Sequence, residues 1–373
     1  MYDEVDDMLI SVNVPKGLMD ISNGRLISTK QLKDNTTTYT WQVTNPINNY
    51  GVNINIGDYV AFSEKYKGEK GELDCQYYVL RNNLAKAKKQ FQDVPKMLKA
   101  FEHWFGPYPF YEDSYKLVEV PYLGMEHQSS VTYGNGFANG YRGRDLSGTG
   151  WGLKFDFIII HESGHEWFAN NITYKDIADM WIHESFTNYS ESLFVEYYYG
   201  KDAGAAYVRG TRKNIQNDIP IIGQYNVNNE GSGDMYYKGG NMLHTIRQII
   251  NNDEKWRQIL RGLNSTFYHQ TVTTKQVEDY LSKQAGIDLS MVFNQYLRDT
   301  RVPTLEYYCK DKQMVYRWIN CVAGFNMPVQ IALDGKNRTI QPSNEWKALT
   351  LDTANPKLTI DTNFYVAGLN STE

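Results

Sequence analysis

Residues 155–168 read Phe-Asp-Phe-Ile-Ile-Ile-His-Glu-Ser-Gly-His-Glu-Trp-Phe, and the rest of the chain is organised around this stretch. Its apolar residues predict a mostly buried helix that carries His161 and His165 four positions apart. Because an α-helix turns about 100° per residue, positions i and i+4 lie on nearly the same face. Both imidazoles can therefore reach one metal ion, at about 2.0–2.1 Å if that ion is zinc. Glu162 stands beside the first histidine, where its carboxylate can reach a water molecule on the ion.

The pattern His161-Glu162-x-x-His165 is typical of zinc peptidases. A plainer interpretation also exists, in which the two histidines are packed inside a helix and hydrogen-bonded to their neighbours. The two interpretations differ in what they demand of the rest of the chain. A catalytic zinc ion needs three protein ligands and one open position, so the metal interpretation requires a further His, Glu or Asp on a nearby element.

Glu184 meets this requirement. It lies on a second predicted helix that starts near Asp179, and Asn170 to Asp179 would join the two helices and let them pack together. The apolar and aromatic positions of that helix are Trp181, Phe186, Tyr189, Leu193, Phe194 and Tyr197. This spacing is typical of zinc peptidases whose third ligand is a glutamate. In the other large class a third histidine follows soon after the motif, and here the next histidine is only His183.

The composition is that of an ordinary globular protein. The chain has 373 residues, enough for two or three domains, and 41% of them are hydrophobic. The net charge of −5 is spread along the chain without a basic stripe, so we expect no nucleic-acid partner. No apolar run reaches the ~18 residues of a membrane span, so none is predicted. Three cysteines are too few for a disulfide scaffold or a cysteine-type zinc site, and Cys309 and Cys321 are either paired or free thiols.

The hydrophobic period changes twice along the chain. Strand patterns occupy 1–81, helical patterns dominate 82–300, and short strands return over 301–373, so we predict three domains with these boundaries. The first strand begins almost at Met1, and we therefore expect this sheet to start in the middle of a domain. The first predicted helix begins near Leu84 and is bent near Pro95. The later predicted helices cover 202–217, 239–251, 254–268, 274–285 and 289–299.

Four stretches make the chain similar to the M1 family of zinc aminopeptidases, the gluzincins that include aminopeptidase N and leukotriene A-4 hydrolase. They are the metal block His161–Asn170 with Trp181–Phe186, the signature Leu123-Gly-Met-Glu126-His127, the segment Tyr236-Tyr-Lys-Gly239, and Phe105-Gly-Pro-Tyr-Pro. The resemblance implies a multidomain α+β fold. Its parts would be a partial N-terminal β-domain, a thermolysin-like α/β catalytic domain and a C-terminal β-sandwich.

The resemblance also implies roles for single residues. One Zn²⁺ per chain would be held by His161, His165 and Glu184, with Glu162 as the general base. Tyr236 would stabilise the oxyanion, and Glu126 would anchor the α-ammonium group of a peptide with a free N-terminus. Gly124 and Met125, next to Glu126, are predicted to bind substrate with it. The function implied is a zinc-dependent aminopeptidase that releases N-terminal residues from peptides.

Three positions depart from the family pattern. Leu123 stands where the family has Gly, His127 where it has Asn, and His183 where it usually has Asn. The family's N-terminal β-domain also supplies a Gln or Glu that helps hold the substrate amine, and the sequence offers no recognisable counterpart. These departures bear on specificity rather than on zinc binding.

Several alternatives remain open at this point. A thermolysin-type endopeptidase would share the metal chemistry without needing Glu126, and a catalytically idle scaffold would need the fold alone. The side chains expected to orient the metal histidines are among Asp176, Asp179, Thr187 and Glu191. Lys238 and Arg247 follow Tyr236 and either bind a peptide carboxylate or are solvated. The oligomeric state is open, and so is the compartment, with a preference for the periplasm or the extracellular space over the cytoplasm.

Overall fold

The computed structural model describes residues 3–353 and 356–371, and it mixes helices with sheets as the sequence predicts. The first part of the chain forms strands. They are β1 (Glu4–Val5), β2 (Met8–Pro15), β3 (Met19–Ser22), β4 (Arg25–Gln31), β5 (Thr36–Val43), β6 (Ile47–Asn48) and β7 (Ile54–Gly57). Three small sheets result, with the orders β2-β5-β4, β3-β7 and β1-β6. Their shared core is built around the buried indole of Trp41, whose Nε1 donates to Asp20 at 3.0 Å.

A five-stranded sheet comes next and positions the site. Its strands are β8 (Tyr59–Gly68), β9 (Gly71–Leu80), β10 (Tyr115–Glu119), β11 (Gly124–Met125) and β12 (Val131–Tyr133). The strand order is β11-β12-β10-β9-β8, with β10 parallel to both of its neighbours. The short strand β11 is antiparallel to β12 and forms the edge of the sheet. The pairing of β9 with β10 crosses the predicted boundary at residue 81, and the boundary itself stays a prediction.

The helical region begins with the predicted bend. Helix α1 (Leu84–Gln90) ends before Pro95, and α2 (Asp93–Phe105) starts again two residues ahead of that proline. Proline is tolerated in the first turn of a helix because its missing N–H has no partner there in any case. The chain therefore breaks just before the proline and continues as a new helix.

The stretch with the two histidines is only partly the regular helix that the sequence predicts. Helix α3 runs over Phe157–Gly164, and residues Glu166–Asn171 form a wider turn in which Phe168 and Ala169 leave helical geometry. The predicted helix over 155–168 is therefore too long at its carboxyl end. Strand β13 (Ile172–Tyr174) follows, and a short 3₁₀ turn leads into α4 (Trp181–Tyr199), the second predicted helix.

The remaining helices agree with the predicted ranges to within a few residues, except that the first of them is shorter. They are α5 (Lys201–Gly210), α6 (Tyr237–Ile250), α7 (Asp253–Thr266), α8 (Thr274–Ala285) and α9 (Ser290–Arg298). Helix α5 passes into a 3₁₀ turn over Thr211–Asn214 instead of continuing to residue 217. Strand β14 (Gln270–Val272) lies between α7 and α8 and pairs in parallel with β13. None of the helices in the described ranges is both long and apolar enough to cross a membrane.

The last part of the chain returns to strands, as predicted. They are β15 (Thr304–Lys310), β16 (Gln313–Ile319), β17 (Val329–Leu333), β18 (Lys336–Ile340), β19 (Lys347–Thr350), β20 (Leu358–Ile360) and β21 (Ala367–Asn370). They form one sheet in the order β19-β16-β15-β21 and a second in the order β18-β17-β20. The three cysteines are free thiols, so Cys309 and Cys321 are not paired. One hydrophobic core runs from the helical region into these strands, and the predicted three-domain arrangement stays a prediction.

Candidate metal centre and cleft

The helix that carries the histidines is fixed at both of its ends. At the amino end, the carboxylate of Asp156 accepts hydrogen bonds from the backbone N–H groups of Ile158 and Ile159, which caps the helix. At the carboxyl end, a Cβ atom on Gly164 would lie 2.8 Å from Oγ of Ser190 on α4. Only glycine lets the two helices approach this closely, and the approach brings the third predicted ligand to the histidines.

The three predicted ligands converge. The Oε2 atom of Glu184 lies 3.5 Å from Nε2 of His161 and 3.4 Å from Nε2 of His165. These three ligand atoms all lie within 4.8 Å of one another, and all three residues are buried. The sequence prediction that these residues share one site is therefore consistent with the geometry.

The hydrogen bonds around the histidines leave the Nε2 atoms free for a cation. Nδ1 of His161 lies 2.8 Å from Glu191 Oε1, and Nδ1 of His165 lies 3.0 Å from the carbonyl oxygen of Phe168. Because both partners are acceptors, the proton of each neutral imidazole lies on Nδ1, and Nε2 then presents a lone pair. Oε2 of Glu184 is buried and accepts no hydrogen bond from the residues that the structure describes. Three lone-pair donors thus face one another, which fits a divalent cation such as zinc.

Two side chains and one backbone carbonyl contact the Nδ1 atoms of the histidines and orient the rings. Glu191 receives hydrogen bonds from His161 and, through Oε2, from the hydroxyl of Tyr207 at 2.6 Å. The Thr187 hydroxyl lies 3.1 Å from Nδ1 of His165. The departure of Phe168 from helical geometry frees its carbonyl oxygen for the same nitrogen. Of the four candidates, Thr187 and Glu191 contact the histidines.

The other two candidates serve elsewhere. Asp176 caps the 3₁₀ turn that precedes α4 by accepting from the N–H of Ala178. Asp179 accepts from the hydroxyl groups of Thr274 and Tyr225, at 2.5 and 2.6 Å. Both carboxylates therefore stabilise the segment that precedes α4, and they do not orient the metal ligands.

Glu162 lies beside the proposed metal position on the same helix. One ligand atom each from Glu162, Glu126 and His165 lie within 4.8 Å of one another. Burial, reinforced by the neighbouring carboxylate of Glu126, raises the pKa of Glu162 to about 7. A carboxylate with this pKa can accept a proton and give it back near neutral pH, as general acid–base catalysis requires.

Tyr236 reaches the site from the start of α6. Its ring lies 6.1 Å from the ring of His161 in a nearly parallel arrangement. Burial and the nearby carboxylate of Glu184 raise the pKa of the Tyr236 phenol well above its usual range, so the hydroxyl keeps its proton. The backbone that leads to Tyr236 is fixed to α4 because the hydroxyl of Ser185 donates to the carbonyl of Met235 at 2.7 Å.

The two cations after Tyr236 are engaged away from the metal centre. Nζ of Lys238 donates to the carbonyl oxygen of Asp299 at 2.9 Å. Arg247 makes two hydrogen bonds of 2.7 Å to the carboxylate of Glu196 and another to Asp253. Lys238 and Arg247 are both buried and paired within the protein. The predictions that they bind a peptide carboxylate or are solvated are therefore wrong.

The signature residues Gly124 and Met125 form the edge strand beside α3, and Glu126 follows directly after it. A Cβ atom on Gly124 would stand 2.8 Å from Cγ2 of Ile158 and 3.1 Å from Cγ of Glu162. Glycine at this position therefore lets the edge strand lie directly against the helix that carries the predicted general base. Burial raises the pKa of Glu126, whose backbone oxygen accepts from Asn170 at 2.9 Å.

The two histidines that depart from the family pattern have different surroundings. His183 accepts a hydrogen bond from the N–H of Tyr174 at 2.9 Å and stacks on its ring, with the ring centres 4.2 Å apart. Burial lowers the pKa of His183 to about 3, so this ring is neutral. It packs between α4 and Tyr174. His127 is half-buried beside Glu126, and burial lowers its pKa to about 4.

An open cavity of about 260 Å³ adjoins the centre on the His161 side. Besides His161, Glu162 and Tyr236, its walls are Leu123, Tyr141, Leu146, Phe157, Ile158, Asn188 and Tyr237. Leu123, one of the departures from the family pattern, is thus part of the cleft. A pocket with both polar and apolar walls beside the proposed metal position is suited to a side chain of the substrate.

Sequence reasoning missed two residues around the site. Tyr207 supports Glu191 from α5, and the hydroxyl of Tyr50, from the first part of the chain, contacts Oε1 of Glu126. Neither tyrosine belongs to a motif, and the chain holds 29 tyrosines. No sequence signal separates these two from the others.

A helix with two histidines at i and i+4, met by a glutamate from the next helix, is the arrangement of zinc metallopeptidases. Comparison with protein families supports this class and narrows it. The peptidase family M1 domain matches residues 90–296, which is more than half of the chain. The chain belongs to peptidase family M1.

Individual relatives agree with this assignment. Probable aminopeptidase 1 of Sulfurisphaera tokodaii is 21% identical, over 95% of this chain and 46% of its own. Leukotriene A-4 hydrolase of Xenopus laevis is 24% identical, over 72% of this chain and 44% of its own. The chain therefore spans about half the length of these curated relatives.

Solved structures establish the same fold. Aminopeptidase A of Legionella pneumophila, in complex with aspartic acid, superposes with a TM-score of 0.80 at 15% identity, over 100% of this chain and 46% of that one. The M1 zinc metallopeptidase of Deinococcus radiodurans was solved as a variant bound to a Tyr-Ser-Ala substrate. It superposes with a TM-score of 0.66 at 19% identity, over 80% of this chain and 64% of that one.

Proposed function

We propose that this chain is a zinc-dependent aminopeptidase that removes N-terminal residues from peptides. One observation carries the proposal: the carboxylate of Glu126 lies beside Glu162 and His165, at the edge of the three-ligand centre. A buried carboxylate in that place is complementary to the ammonium group of a substrate whose first peptide bond lies at the centre. The named aminopeptidase relatives support the same reading.

His161, His165 and Glu184 hold one Zn²⁺ per chain, with Glu191 and Thr187 fixing the two imidazoles. When bound, zinc polarises a carbonyl group and lowers the pKa of a water molecule toward about 7. Everything else in the reaction is supplied by side chains of this protein.

Glu162 moves the proton. As a carboxylate it accepts a proton from the attacking water, and as a carboxylic acid it returns that proton to the leaving amine. Its pKa near 7, set first by burial, allows both halves of this cycle at neutral pH. Gly124 keeps the edge strand close, so the substrate and the carboxylate are held against each other.

Tyr236 stabilises the charge that develops on the substrate oxygen. Its phenol keeps its proton because burial and the carboxylate of Glu184 raise its pKa. A neutral hydroxyl group is therefore available to donate to the oxyanion. Tyr237 lines the same cavity, but the ring of Tyr236 is the one that stacks on His161.

Glu126, with Met125 and Gly124, binds the amino end of the peptide. The first residue lies on the Glu126 side of the centre, and the rest of the peptide leaves past His161 and the cavity beside it. This polarity makes the enzyme an exopeptidase, because a blocked amine would bring no positive charge to the Glu126 carboxylate. The three domains predicted at 1–81, 82–300 and 301–373 belong to the same proposal.

A panel of aminoacyl p-nitroanilides tests the proposal. We expect cleavage of the free-amine substrates, loss of activity with a chelator, and recovery with added zinc. The N-acetylated form of the best substrate should be cleaved at least about 100-fold more slowly, since it brings no ammonium group to the buried carboxylate. Equal cleavage of both forms would favour the endopeptidase, and the absence of cleavage of any peptide by the zinc-loaded protein would favour the scaffold.

A further inference from the structure

The first part of the chain is fastened to the segment that carries Glu126. The loop of Tyr50 is a short 3₁₀ turn over Asn49–Gly51, capped by Asn48, whose side chain accepts from the N–H of Gly51 at 2.7 Å. The hydrogen bonds across the junction are Gln128 Nε2 to Pro46 O at 2.9 Å, Asn53 Nδ2 to Ser130 O at 3.2 Å, and Asn23 Nδ2 to Gln128 O at 2.6 Å. The loop therefore has a fixed position relative to Glu126.

From this loop Tyr50 reaches Glu126. Its hydroxyl donates a hydrogen bond to Oε1 of Glu126, across 76 residues of sequence. Glu126 is buried, and Tyr50 is half-buried. The carboxylate that the proposed function assigns to the substrate amine is thus contacted by a side chain from outside the M1-matched range 90–296.

We propose that Tyr50 is a positioning residue for recognition of the substrate's α-ammonium group, an inference that rests on the proposed aminopeptidase function. Its hydroxyl occupies Oε1 of Glu126 and so fixes the plane of the carboxylate. The second oxygen is then left to accept from the ammonium group. A carboxylate held in one orientation loses less conformational freedom when the substrate binds, which favours binding.

This role differs from that of a catalytic residue. The hydrogen bond of Tyr50 is made to Glu126, which is not a predicted metal ligand, and the effect of Tyr50 passes through Glu126. The ammonium group is present in the bound substrate and in the transition state alike. Loss of its anchor therefore weakens both equally, which raises KM and leaves kcat nearly unchanged.

The test is Tyr50→Phe in the zinc-loaded full chain, which removes one hydroxyl and keeps the ring. We expect KM for the best aminoacyl p-nitroanilide to rise about 10-fold, with kcat within about 2-fold of wild type. Discrimination against the N-acetylated form should fall by a similar factor. Tyr39→Phe is the matched control, because this half-buried tyrosine of the same region donates to the carbonyl of Leu18. It should leave KM and discrimination unchanged.

A double-mutant cycle with Glu126→Gln separates the proposed role from packing. If Tyr50 acts through Glu126, Tyr50→Phe adds no further rise in KM to the Glu126→Gln variant. Additive effects, an unchanged KM, or a loss of zinc content and melting temperature in Tyr50→Phe would each overturn the inference. A wild-type protein that cleaves acetylated and free substrates equally would overturn the proposed function instead, and the two failures are thereby distinguishable.

Discussion

Glu191 and His161 form a buried pair in which Oε1 of the carboxylate lies 2.8 Å from Nδ1 of the imidazole. The pair joins α4 to α3 at the metal centre. It sets the tautomer of His161, because an acceptor at Nδ1 leaves the lone pair on Nε2. The same carboxylate is held by Tyr207, so its orientation does not depend on the metal.

Glu191→Gln is expected to weaken zinc binding. The amide keeps the shape of the side chain but removes the charge that supports the imidazole, and we expect a 10- to 100-fold loss of zinc affinity, of the order reported for groups that orient metal ligands. Competition with a zinc-binding chromophore measures this. Asp179→Asn is the control, since Asp179 contacts Thr274 and Tyr225 instead, and it should alter thermal stability without altering zinc affinity. Equal zinc affinity in wild type and Glu191→Gln would contradict the assigned role.

Glu162→Gln is expected to keep zinc and lose turnover. An amide cannot accept the proton of the attacking water, so kcat should fall by a factor of about 10² to 10⁴. Zinc content by mass spectrometry and kcat on an aminoacyl p-nitroanilide give the two readings. Glu166→Gln offers a matched control four residues further on.

The control works because Glu166 is also fully buried but is not among the residues that line the cavity beside the centre. It accepts from the N–H of Ser129 at 2.8 Å, and burial raises its pKa to about 8, so it is already neutral at pH 7. Replacing it with glutamine should leave kcat nearly unchanged. A Glu162→Gln variant with a near-normal rate would remove Glu162 from the mechanism.

Tyr236→Phe and Tyr237→Phe should separate two adjacent tyrosines. Loss of a hydrogen bond made to the developing oxyanion should lower kcat by a factor of about 10² to 10³ in Tyr236→Phe, with KM nearly constant. Tyr237→Phe removes a hydroxyl from the cavity wall and should change kcat by less than about 5-fold. Steady-state kinetics of the two variants with one substrate show which hydroxyl donates to the oxyanion. A larger fall in kcat for Tyr237→Phe than for Tyr236→Phe would make Tyr237 the donor.

Zinc affinity should depend steeply on pH. In the metal-free centre burial lowers the pKa of His165, but the carboxylates of Glu184 and Glu126 outweigh it and raise the pKa to about 9. Below that pH a proton occupies the site, and zinc must displace it, so affinity rises with pH up to about 9 and levels off above it. We expect about a tenfold gain per pH unit for each proton displaced. A zinc affinity that is constant between about pH 6 and pH 8 would contradict this.

The meeting of the three predicted metal ligands could be expected from helical period and from the packing of two helices. His161 and His165 need one regular helix, and Glu184 needs a second helix that packs on it. The sequence names four candidates for the orienting residues, although Glu184, Thr187 and Glu191 recur at the spacing of one helix face. Asp176 and Asp179 precede that helix, which could have excluded them.

Contacts between segments far apart in the chain could not be predicted from the sequence. Tyr50 meets Glu126 only because several small sheets place its loop against the edge of the central sheet. The early end of α3 was missed for a related reason. Phe168 leaves helical geometry where its carbonyl oxygen accepts a hydrogen bond from His165. Helix propensity is a local property of the sequence and does not include a hydrogen bond that depends on tertiary packing.

The central claim is that one zinc ion is held by two imidazoles of one helix and a carboxylate of the next. Anomalous diffraction at the zinc edge from crystals of the zinc-loaded protein tests it most directly. We predict one peak per chain, between Nε2 of His161, Nε2 of His165 and the carboxylate of Glu184. The absence of a peak, or a peak among Glu126, Glu162 and His165 instead, would contradict the account.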